Sequence, residues 1–133
     1  MKYILGIDLG TSGTKTVLFD ALGRQGCEAS REYPLHQPKN GWAEQDPEDW
    51  YRVASALLRD VLARGKCRAE QIAALSLDGS THNAVLADAE FRPLRPAIMW
   101  TDQRSARQAA RLEAEAGPTI FRIGYQRPTP TWT

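Results

Sequence analysis

An apolar strand pattern near the start of the chain ends in a turn of small residues and is followed at once by a second strand pattern. Residues 2–9 carry apolar side chains on both faces, which is typical of a strand buried inside a sheet. The turn at residues 10–13 reads GTSG, and Val17, Leu18 and Phe19 continue the strand pattern after it. This order predicts an antiparallel pair, which a weaker strand over residues 25–33 extends to a three-stranded meander.

Helical and extended patterns alternate along the rest of the chain. Residues 34–45 carry Pro, Asn and Gly and are predicted to be irregular. A helix is predicted next, capped by Asp46, with Pro47 at its first position and Gly65 at its end. Two strands, at 72–78 and 83–88, and an extended segment at 92–100 are predicted to follow. A second helix is predicted from Thr101 or Asp102 to about Ala116, stopped by Gly117 and Pro118.

Charge and cysteine content exclude several classes of protein. Seventeen basic residues against sixteen acidic ones give a net charge of +1, so there is no basic stripe for nucleic acid and no polybasic membrane patch. Cys27 and Cys67 are too few for a disulfide framework or a zinc site. The first apolar run is broken by Gly6 and Asp8, which argues against a signal peptide or membrane span. We expect a reduced, cytoplasmic protein without nucleic-acid or membrane partners.

The glycine turn does not match the two best-known phosphate motifs. A Walker A loop has GxxxxGK[ST] before a helix, and a dinucleotide fingerprint has GxGxxG before a helix. Here Gly6, Gly10 and Gly13 have a different spacing, and a strand pattern follows the turn. Both readings are therefore excluded.

A tight hairpin turn of this composition can still bind an anion. Successive backbone N–H groups over residues 10–14 can point into one concavity, and Thr11, Ser12 and Thr14 add hydroxyl donors. Asp8, at the end of the preceding strand, can hold a hydrated Mg²⁺ that bridges phosphate oxygens. On the residues alone, a plain surface turn with a solvated Asp8 remains the alternative.

Four segments in order resemble one family of enzymes. GIDLGTSGTK, residues 6–15, resembles the first phosphate motif of the actin-like ATPase fold. GWAEQDPEDWY at 41–51, DGSTHNAVLAD at 78–88 and RPAIMWTDQR at 95–104 are similar to segments of the FGGY carbohydrate kinases, especially the xylulokinase-like members. The resemblance implies an α/β fold of the ribonuclease H-like, actin-like ATPase type, with a mixed sheet that opens with the meander and helices packed on it.

The resemblance also implies ligands and site residues. ATP and Mg²⁺ are the expected cofactors, and a sugar hydroxyl is the expected phosphoryl acceptor. The implied contacts are Gly10, Thr11, Ser12, Gly13 and Thr14 for the ATP phosphates, Asp8 for the metal, and Thr81, His82, Trp100 and Asp102 for the sugar. His82 matches a family histidine, but its neighbours in STHN differ from the QMHG common in xylulokinase-like members.

Other polar and aromatic residues have simpler interpretations. Trp42 and Trp50 are interpreted as packing residues, and Asp102 can be both a helix cap and a hydroxyl acceptor paired with Arg104. Glu44 and Asp46 are interpreted as a local turn and a cap, and Lys15 as a solvated side chain.

The resemblance covers only part of a family member. It implies that residues 1–133 are the N-terminal portion of the first kinase domain, that the second ATPase domain is absent from this chain, and that the catalytic Asp lies there. We therefore expect no catalytic residue in this chain and no turnover by the chain alone. Xylulose or another ketopentose is the expected sugar. The alternatives are a kinase for another polyol or ketose (glycerol, erythritol, fuculose or gluconate type) and a non-enzymatic actin-like or chaperone-like nucleotide-binding module. A homodimer of the full-length enzyme is left open.

Overall fold

The computed structural model of the chain describes residues 2–132, except for the side chain of Trp132. Two compact units are present. The sheet unit comprises Met1–Pro34 and Asp46–Ser80, and the second unit comprises Leu35–Gln45 and Thr81–Thr133. The elements in chain order are β1 (Tyr3–Leu9), β2 (Gly13–Asp20), β3 (Gln25–Glu32), β4 (Glu44–Gln45), α1 (Pro47–Arg64), a 3₁₀ helix (Ala69–Gln71), β5 (Ile72–Gly79), β6 (Ala97–Ile98), α2 (Ala106–Gly124) and a 3₁₀ helix (Pro130–Trp132).

The sheet unit contains a four-stranded mixed sheet in the order β3-β2-β1-β5. Strands β1, β2 and β3 form the predicted antiparallel meander, and β5 lies parallel to β1. The meander and the strand beside β1 were both predicted from the sequence, with boundaries correct to within one residue. Because β1 pairs on both sides, the turn that follows it is anchored by two neighbouring strands.

Helix α1 covers one face of the sheet. Its ends agree with the predicted signals: the Asp46 carboxylate accepts a hydrogen bond from the Glu48 N–H at 3.0 Å, and the helix ends before Gly65. Leu5 and Leu18 from the sheet pack with Val61 from the helix in one buried cluster. A second cluster joins Tyr33 at the end of β3 to Val53 and Leu57 of α1, with Trp50 packed against it. The interpretation of Trp50 as a packing residue is confirmed.

The second unit is built mainly from short pairings. Strands β4 and β6 pair antiparallel over two residues each. The predicted strand at 83–88 was wrong, because that segment contributes only two isolated bridges, Ala84 with Ile98 and Ala87 with Pro93. Alternating side chains alone do not make a strand where no continuous partner is available.

Helix α2 begins later and ends later than predicted. Its N-cap residue is Ser105, and it continues through Gly117 and Pro118 to Gly124. A proline inside a helix costs about 3 kcal/mol by removing one hydrogen bond and crowding the preceding turn, but the other turns keep their bonds. None of the helices within residues 2–132 is long and apolar enough to cross a membrane.

Candidate functional site

The turn between β1 and β2, here called the phosphate loop (residues 10–13), is held by one tyrosine. The Tyr33 hydroxyl donates a short hydrogen bond to the Gly10 carbonyl and lies 3.3 Å from the Gly13 carbonyl oxygen. The backbone N–H of Tyr33 donates to the Ser12 carbonyl at 3.3 Å. Three carbonyl groups of the phosphate loop are thus contacted by a single residue at the end of β3.

The Tyr33 phenol remains a hydrogen-bond donor at neutral pH. Burial raises its pKa above the ordinary 10.0, and the negative charge of Asp8 adds to that shift. Tyr33 was not among the predicted site residues. Its only sequence signal was its position just before Pro34, where the strand pattern ends.

Gly13 is required by the close approach of β3. A Cβ atom at this position would lie 2.6 Å from the Arg31 carbonyl oxygen and 2.9 Å from the Glu32 Cα. Both contacts are with backbone, which cannot move aside as a side chain can. The glycine therefore lets the phosphate loop and β3 lie against each other.

A groove of about 430 Å³ opens beside the phosphate loop. Its lining includes Asp8, Ser12, Gly13, Thr14 and Lys15, so the structure brings together the predicted metal residue and three of the five predicted phosphate residues. Ser12 is exposed. Thr14 is only 2 % exposed, and its Oγ1 has no hydrogen-bond partner among the described residues.

The remaining loop hydroxyl is tied to the neighbouring strand. Thr11 Oγ1 lies 3.3 Å from Ser80 Oγ, and the Ser80 N–H donates to the Leu9 carbonyl at 2.9 Å. The start of the phosphate loop and the end of β5 are therefore joined by two contacts.

Asp8 lies at an exposed strand end with ionic neighbours on both sides. In the sheet register it faces Lys15 of β2 and Asp78 of β5. Lys15 is half exposed and pairs with Glu28 at 2.7 Å. Asp78 Oδ1 accepts a hydrogen bond from the Gly79 N–H at 2.8 Å.

These carboxylates suit a hard cation that keeps most of its water. Mg²⁺ is commonly held by one or two carboxylates together with phosphate oxygens and water. No cluster of three or more His, Cys, Asp or Glu residues with metal-binding geometry occurs within residues 2–132. The donor set around Asp8 thus fits Mg²⁺ bound with a phosphate ligand and does not form a closed protein cage.

Two of the predicted sugar residues form an exposed pair in the second unit. Thr81 Oγ1 and His82 Nδ1 are 2.8 Å apart. His82 has a left-handed backbone with φ of 62°, which is uncommon for a residue with a side chain. The pairing fixes the orientation of the imidazole relative to the Thr81 hydroxyl.

Trp100 follows β6 and exposes part of its ring. The residue is 42 % exposed, and its backbone N–H donates to Asn83 Oδ1 at 2.9 Å. Through this bond the segment that carries His82 and the segment that carries Trp100 are held together within the second unit. An accessible indole with polar neighbours is suited to the apolar face of a sugar.

Asp102 lies in a buried ionic cluster and does not cap α2. It is 2 % exposed, and its Oδ2 accepts a hydrogen bond from the Ala43 N–H at 2.6 Å. Arg104 binds both carboxylate oxygens, through Nε to Oδ1 and Nη2 to Oδ2, each at 2.8 Å. Helix α2 begins at Ala106 with Ser105 as its N-cap residue, so Asp102 lies too far upstream to cap it. The predicted pairing with Arg104 is confirmed.

The net pKa of Asp102 lies below its ordinary value. Burial acts to raise it, but the hydrogen bonds from Arg104 and from the Ala43 N–H outweigh burial and bring the pKa below 3.8. The same hydrogen bond to Asp102 raises the pKa of Arg104. Both groups are therefore charged across the ordinary pH range.

The sequence interpretation of Glu44 as a turn residue was wrong. Glu44 belongs to β4, is 8 % exposed, and accepts hydrogen bonds from Arg95 and Arg104 at 2.5 and 2.8 Å. The Arg104 guanidinium also lies 3.8 Å from the centroid of the Trp42 ring. Trp42 is thus a packing residue, as predicted, and its partner is a cation.

Comparison with known proteins places the chain in a family. Residues 3–127 match the model for the N-terminal domain of the FGGY family of carbohydrate kinases. The chain belongs to this family, and the predicted actin-like ATPase fold is confirmed.

Individual relatives are similar over nearly the whole chain. The chain is 37 % identical over 139 aligned residues to the xylulose kinase of Bacillus subtilis, and the alignment covers 99 % of this chain and 28 % of that protein. It is 36 % identical over 112 residues to a glycerol kinase of Chelativorans, covering 84 % of this chain and 22 % of that protein. The crystal structure of a xyloylose kinase from Brucella ovis matches with a TM-score of 0.89 and 38 % identity, covering 97 % of this chain and 27 % of that one. The chain spans about a quarter of the length of these relatives.

Proposed function

We propose that this chain serves in the ATP-dependent phosphorylation of a sugar hydroxyl, with a ketopentose such as xylulose as the substrate. The observation that carries the proposal is the groove that joins Asp8 to the phosphate loop, in a chain 37 % identical to a xylulose kinase along almost its full length. The groove is lined by loop backbone, by exposed hydroxyl and carboxylate groups, and by the cationic side chains of Lys15 and Arg31. Cations and metal-binding carboxylates together suit a metal-bound phosphate chain.

In this proposal the phosphate loop orients the phosphates of ATP. Residues 10–13 contribute backbone N–H groups, which need no proton transfer and hold a fixed direction. Ser12 adds an exposed hydroxyl, whereas the buried hydroxyl of Thr14 leaves that residue only its backbone to offer. Phosphoryl transfer depends mainly on such positioning and on charge neutralisation.

Asp8 is proposed to hold hydrated Mg²⁺ at the end of β1. When bound, the ion would neutralise part of the charge of the phosphates. Asp8 is not proposed as the base that accepts the sugar proton, because its place beside the phosphate loop suits the metal. Asp78, level with Asp8 on β5, adds negative charge to the same strand ends.

The second unit is proposed to supply sugar contacts. His82 and Thr81 form a polar pair that can bind hydroxyl groups, and the Trp100 ring can cover an apolar sugar face. Asp102 is proposed to act by fixing the segment from Trp100 to Arg104, since its carboxylate is fully engaged by Ala43 and Arg104.

Residues 1–133 are proposed to be the N-terminal portion of the first kinase domain. By analogy with the family, the catalytic Asp, the second phosphate loop and the adenosine pocket are proposed to lie in a second ATPase domain outside these residues. We therefore expect the 133-residue chain alone to bind phosphate ligands weakly and to give no sugar phosphate.

Glycerol is the main alternative substrate. The 36 % identity to a glycerol kinase over 84 % of the chain supports this second candidate. A non-enzymatic nucleotide-binding module is less well supported, since it gives no reason for the segments around His82 and Trp100.

A chimeric enzyme can test the proposal. This chain would replace the matching quarter of the Bacillus subtilis xylulose kinase, and the purified chimera would be assayed with MgATP against xylulose, glycerol and gluconate. We expect phosphorylation with xylulose as the preferred acceptor, and a loss of at least tenfold in kcat/KM for xylulose on His82→Ala.

Two controls make the outcome decisive. The Bacillus enzyme itself sets the reference rate, and His36→Ala in the chimera changes the other histidine of this chain. A folded chimera that binds no MgATP would contradict the kinase proposal. A chimera that prefers glycerol would contradict only the choice of sugar.

A further inference from the structure

Tyr33 occupies a position that no sequence motif explains. It is 7 % exposed and packs with Val53 and Leu57 of α1, yet its hydroxyl and its backbone N–H both reach the phosphate loop. A tyrosine held only for packing would not need a hydroxyl directed at two loop carbonyls. The residue therefore links the helix core to the loop.

The bonds from Tyr33 fix the direction of the loop peptides. In a planar trans peptide the C=O and the N–H point in opposite directions. Because the carbonyls of Gly10 and Ser12 are bonded to Tyr33, the N–H groups of Thr11 and Gly13 point away from it.

We infer that Tyr33 is the positioning residue of the phosphate loop, holding its carbonyls on the protein side so that its amides face the phosphate ligand. This inference rests on the proposed function for the identity of the ligand. Without these bonds a glycine-rich turn can rotate its peptides, and a carbonyl facing a phosphate would repel it. Because the Tyr33 ring packs against α1, the position of its hydroxyl is fixed.

The protonation state of Tyr33 suits this role. Its pKa is raised by burial, so the phenol keeps its proton and can donate throughout the neutral range. Nearby Asp8 carries negative charge, which further disfavours a phenolate.

The test compares Tyr33→Phe with Tyr51→Phe in the 133-residue chain. The first change removes the hydroxyl and keeps the packed ring. The second removes a hydroxyl from a residue on α1 that is 74 % exposed, and serves as the matched control. Backbone ¹⁵N relaxation of residues 10–13 would report loop order, and amide shifts during titration with tripolyphosphate, with and without Mg²⁺, would report binding. Thermal unfolding would be measured for all three proteins.

We expect Tyr33→Phe to increase the mobility of residues 10–13 and to weaken tripolyphosphate binding about three- to tenfold, the worth of one hydrogen bond. Tyr51→Phe should match the wild type in both measurements. Equal loop order and equal affinity in the two variants would overturn the inference. A change in melting temperature without a change in loop order or affinity would also overturn it, since that is the result of a purely structural role.

A different result would contradict the proposed function. If tripolyphosphate moves no loop amide in the wild-type chain, the phosphate-binding proposal is contradicted. The relaxation comparison still decides whether Tyr33 fixes the loop, because it needs no ligand.

Discussion

Arg104 donates three hydrogen bonds to the Asp102 carboxylate, from its backbone N–H, its Nε and its Nη2, each at 2.8 Å. Asp102 is 2 % exposed and the Arg104 side chain 15 %, and Asp102 accepts a hydrogen bond from the N–H of Ala43, 59 residues earlier in the chain. Because Arg104 also contacts Glu44 and Trp42, this pair connects β4 to the segment that carries Trp100. The strands β4 and β6 of the second unit have only two residues each, so these hydrogen bonds and ion pairs contribute much of what holds the unit together.

Asp102→Asn should lower the free energy of unfolding by about 3 kcal/mol at pH 7, because it leaves the Arg104 side chain, only 15 % exposed, beside a neutral amide in place of a carboxylate. The folded pKa of Asp102 lies below its unfolded value of 3.8, so its stabilising effect is complete above that value and is lost as pH falls through the folded pKa. The difference between wild type and variant should therefore be constant from pH 7 to about 5 and shrink below pH 4. Urea unfolding across this range measures it.

Asp60→Asn is the control for this prediction. Asp60 forms a surface pair with Arg64 at 3.3 Å, and such pairs contribute about 0–1 kcal/mol. A difference for Asp102→Asn that does not change between pH 7 and pH 3 would contradict the assigned ionic role.

Arg104→Lys should also destabilise the chain, although the charge is kept. A lysine cannot bind both oxygens of Asp102, reach Glu44 and lie flat on the Trp42 ring at once. We expect a loss of about 1–3 kcal/mol in urea unfolding. Arg111→Lys, in an exposed pair with Glu115, should change stability by less than about 0.5 kcal/mol. Equal stability of the two variants would argue that the guanidinium geometry is unimportant.

Two turns of the chain, DALGR at residues 20–24 and DAEFR at residues 88–92, have the same pattern of hydrogen bonds. They differ in the fourth residue, where the backbone is left-handed. In DALGR and DAEFR the aspartate Oδ1 accepts the N–H groups two and four residues later, and Oδ2 accepts the arginine Nε. The fourth residue is left-handed in both turns: Gly23 has φ of 76° and Phe91 has φ of 60°. Phe91 thus adopts a backbone that glycine adopts without strain.

Phe91→Gly should stabilise the chain by up to about 1 kcal/mol, since the left-handed strain of 1–2 kcal/mol exceeds the entropic cost of glycine. The ring is 89 % exposed, so little burial is lost. Gly23→Ala should do the reverse and cost about 1 kcal/mol, because an added Cβ meets no atom within 4 Å and only the backbone is strained. Thermal or urea unfolding of both variants is the measurement. A clear loss of stability for Phe91→Gly would show that the exposed ring contributes contacts.

Much of the sheet unit could be predicted because its signals are local. The apolar pattern of β1, the Asp46 cap and the pairing of three consecutive strands depend on residues close in sequence. The turn at residues 10–13 could be predicted for the same reason, since its glycines and hydroxyl residues are contiguous.

The second unit depends on partners far apart in the chain, which local patterns do not specify. Strands β4 and β6 have two residues each and exist through their mutual pairing. Asp102 looks like a helix cap until its bond to Ala43 is known, and Glu44 looks like a turn residue until its two arginines are placed. Tyr33 was missed because the bonds that define it lead to residues 20 and 23 positions earlier.

Gly13→Ala should destabilise the sheet unit even without a ligand. The added Cβ would lie 2.6 Å from the Arg31 carbonyl oxygen, so β2 and β3 must separate. Overpacking against backbone of this kind costs about 1–3 kcal/mol. Urea unfolding measures the loss, and Gly124→Ala, where a Cβ meets nothing within 4 Å, is the control. A fully stable Gly13→Ala protein would contradict the close approach of β3.

Asp8→Asn should remove the effect of Mg²⁺ on phosphate binding while leaving the fold intact. Asp8 is exposed and its side chain has no role in the α1 core, so the free energy of unfolding should change by less than about 0.5 kcal/mol. An amide is a much weaker ligand for a hard cation than a carboxylate. Titration of the 133-residue chain with ATP, with and without Mg²⁺, should show tighter binding with the metal for wild type and for Asp60→Asn, and no such gain for Asp8→Asn. Asp78→Asn separates the two strand-end carboxylates: a retained Mg²⁺ effect assigns the ion to Asp8 alone, and a lost one assigns it to the pair. If Asp8→Asn keeps the full Mg²⁺ effect, the proposed metal position is wrong.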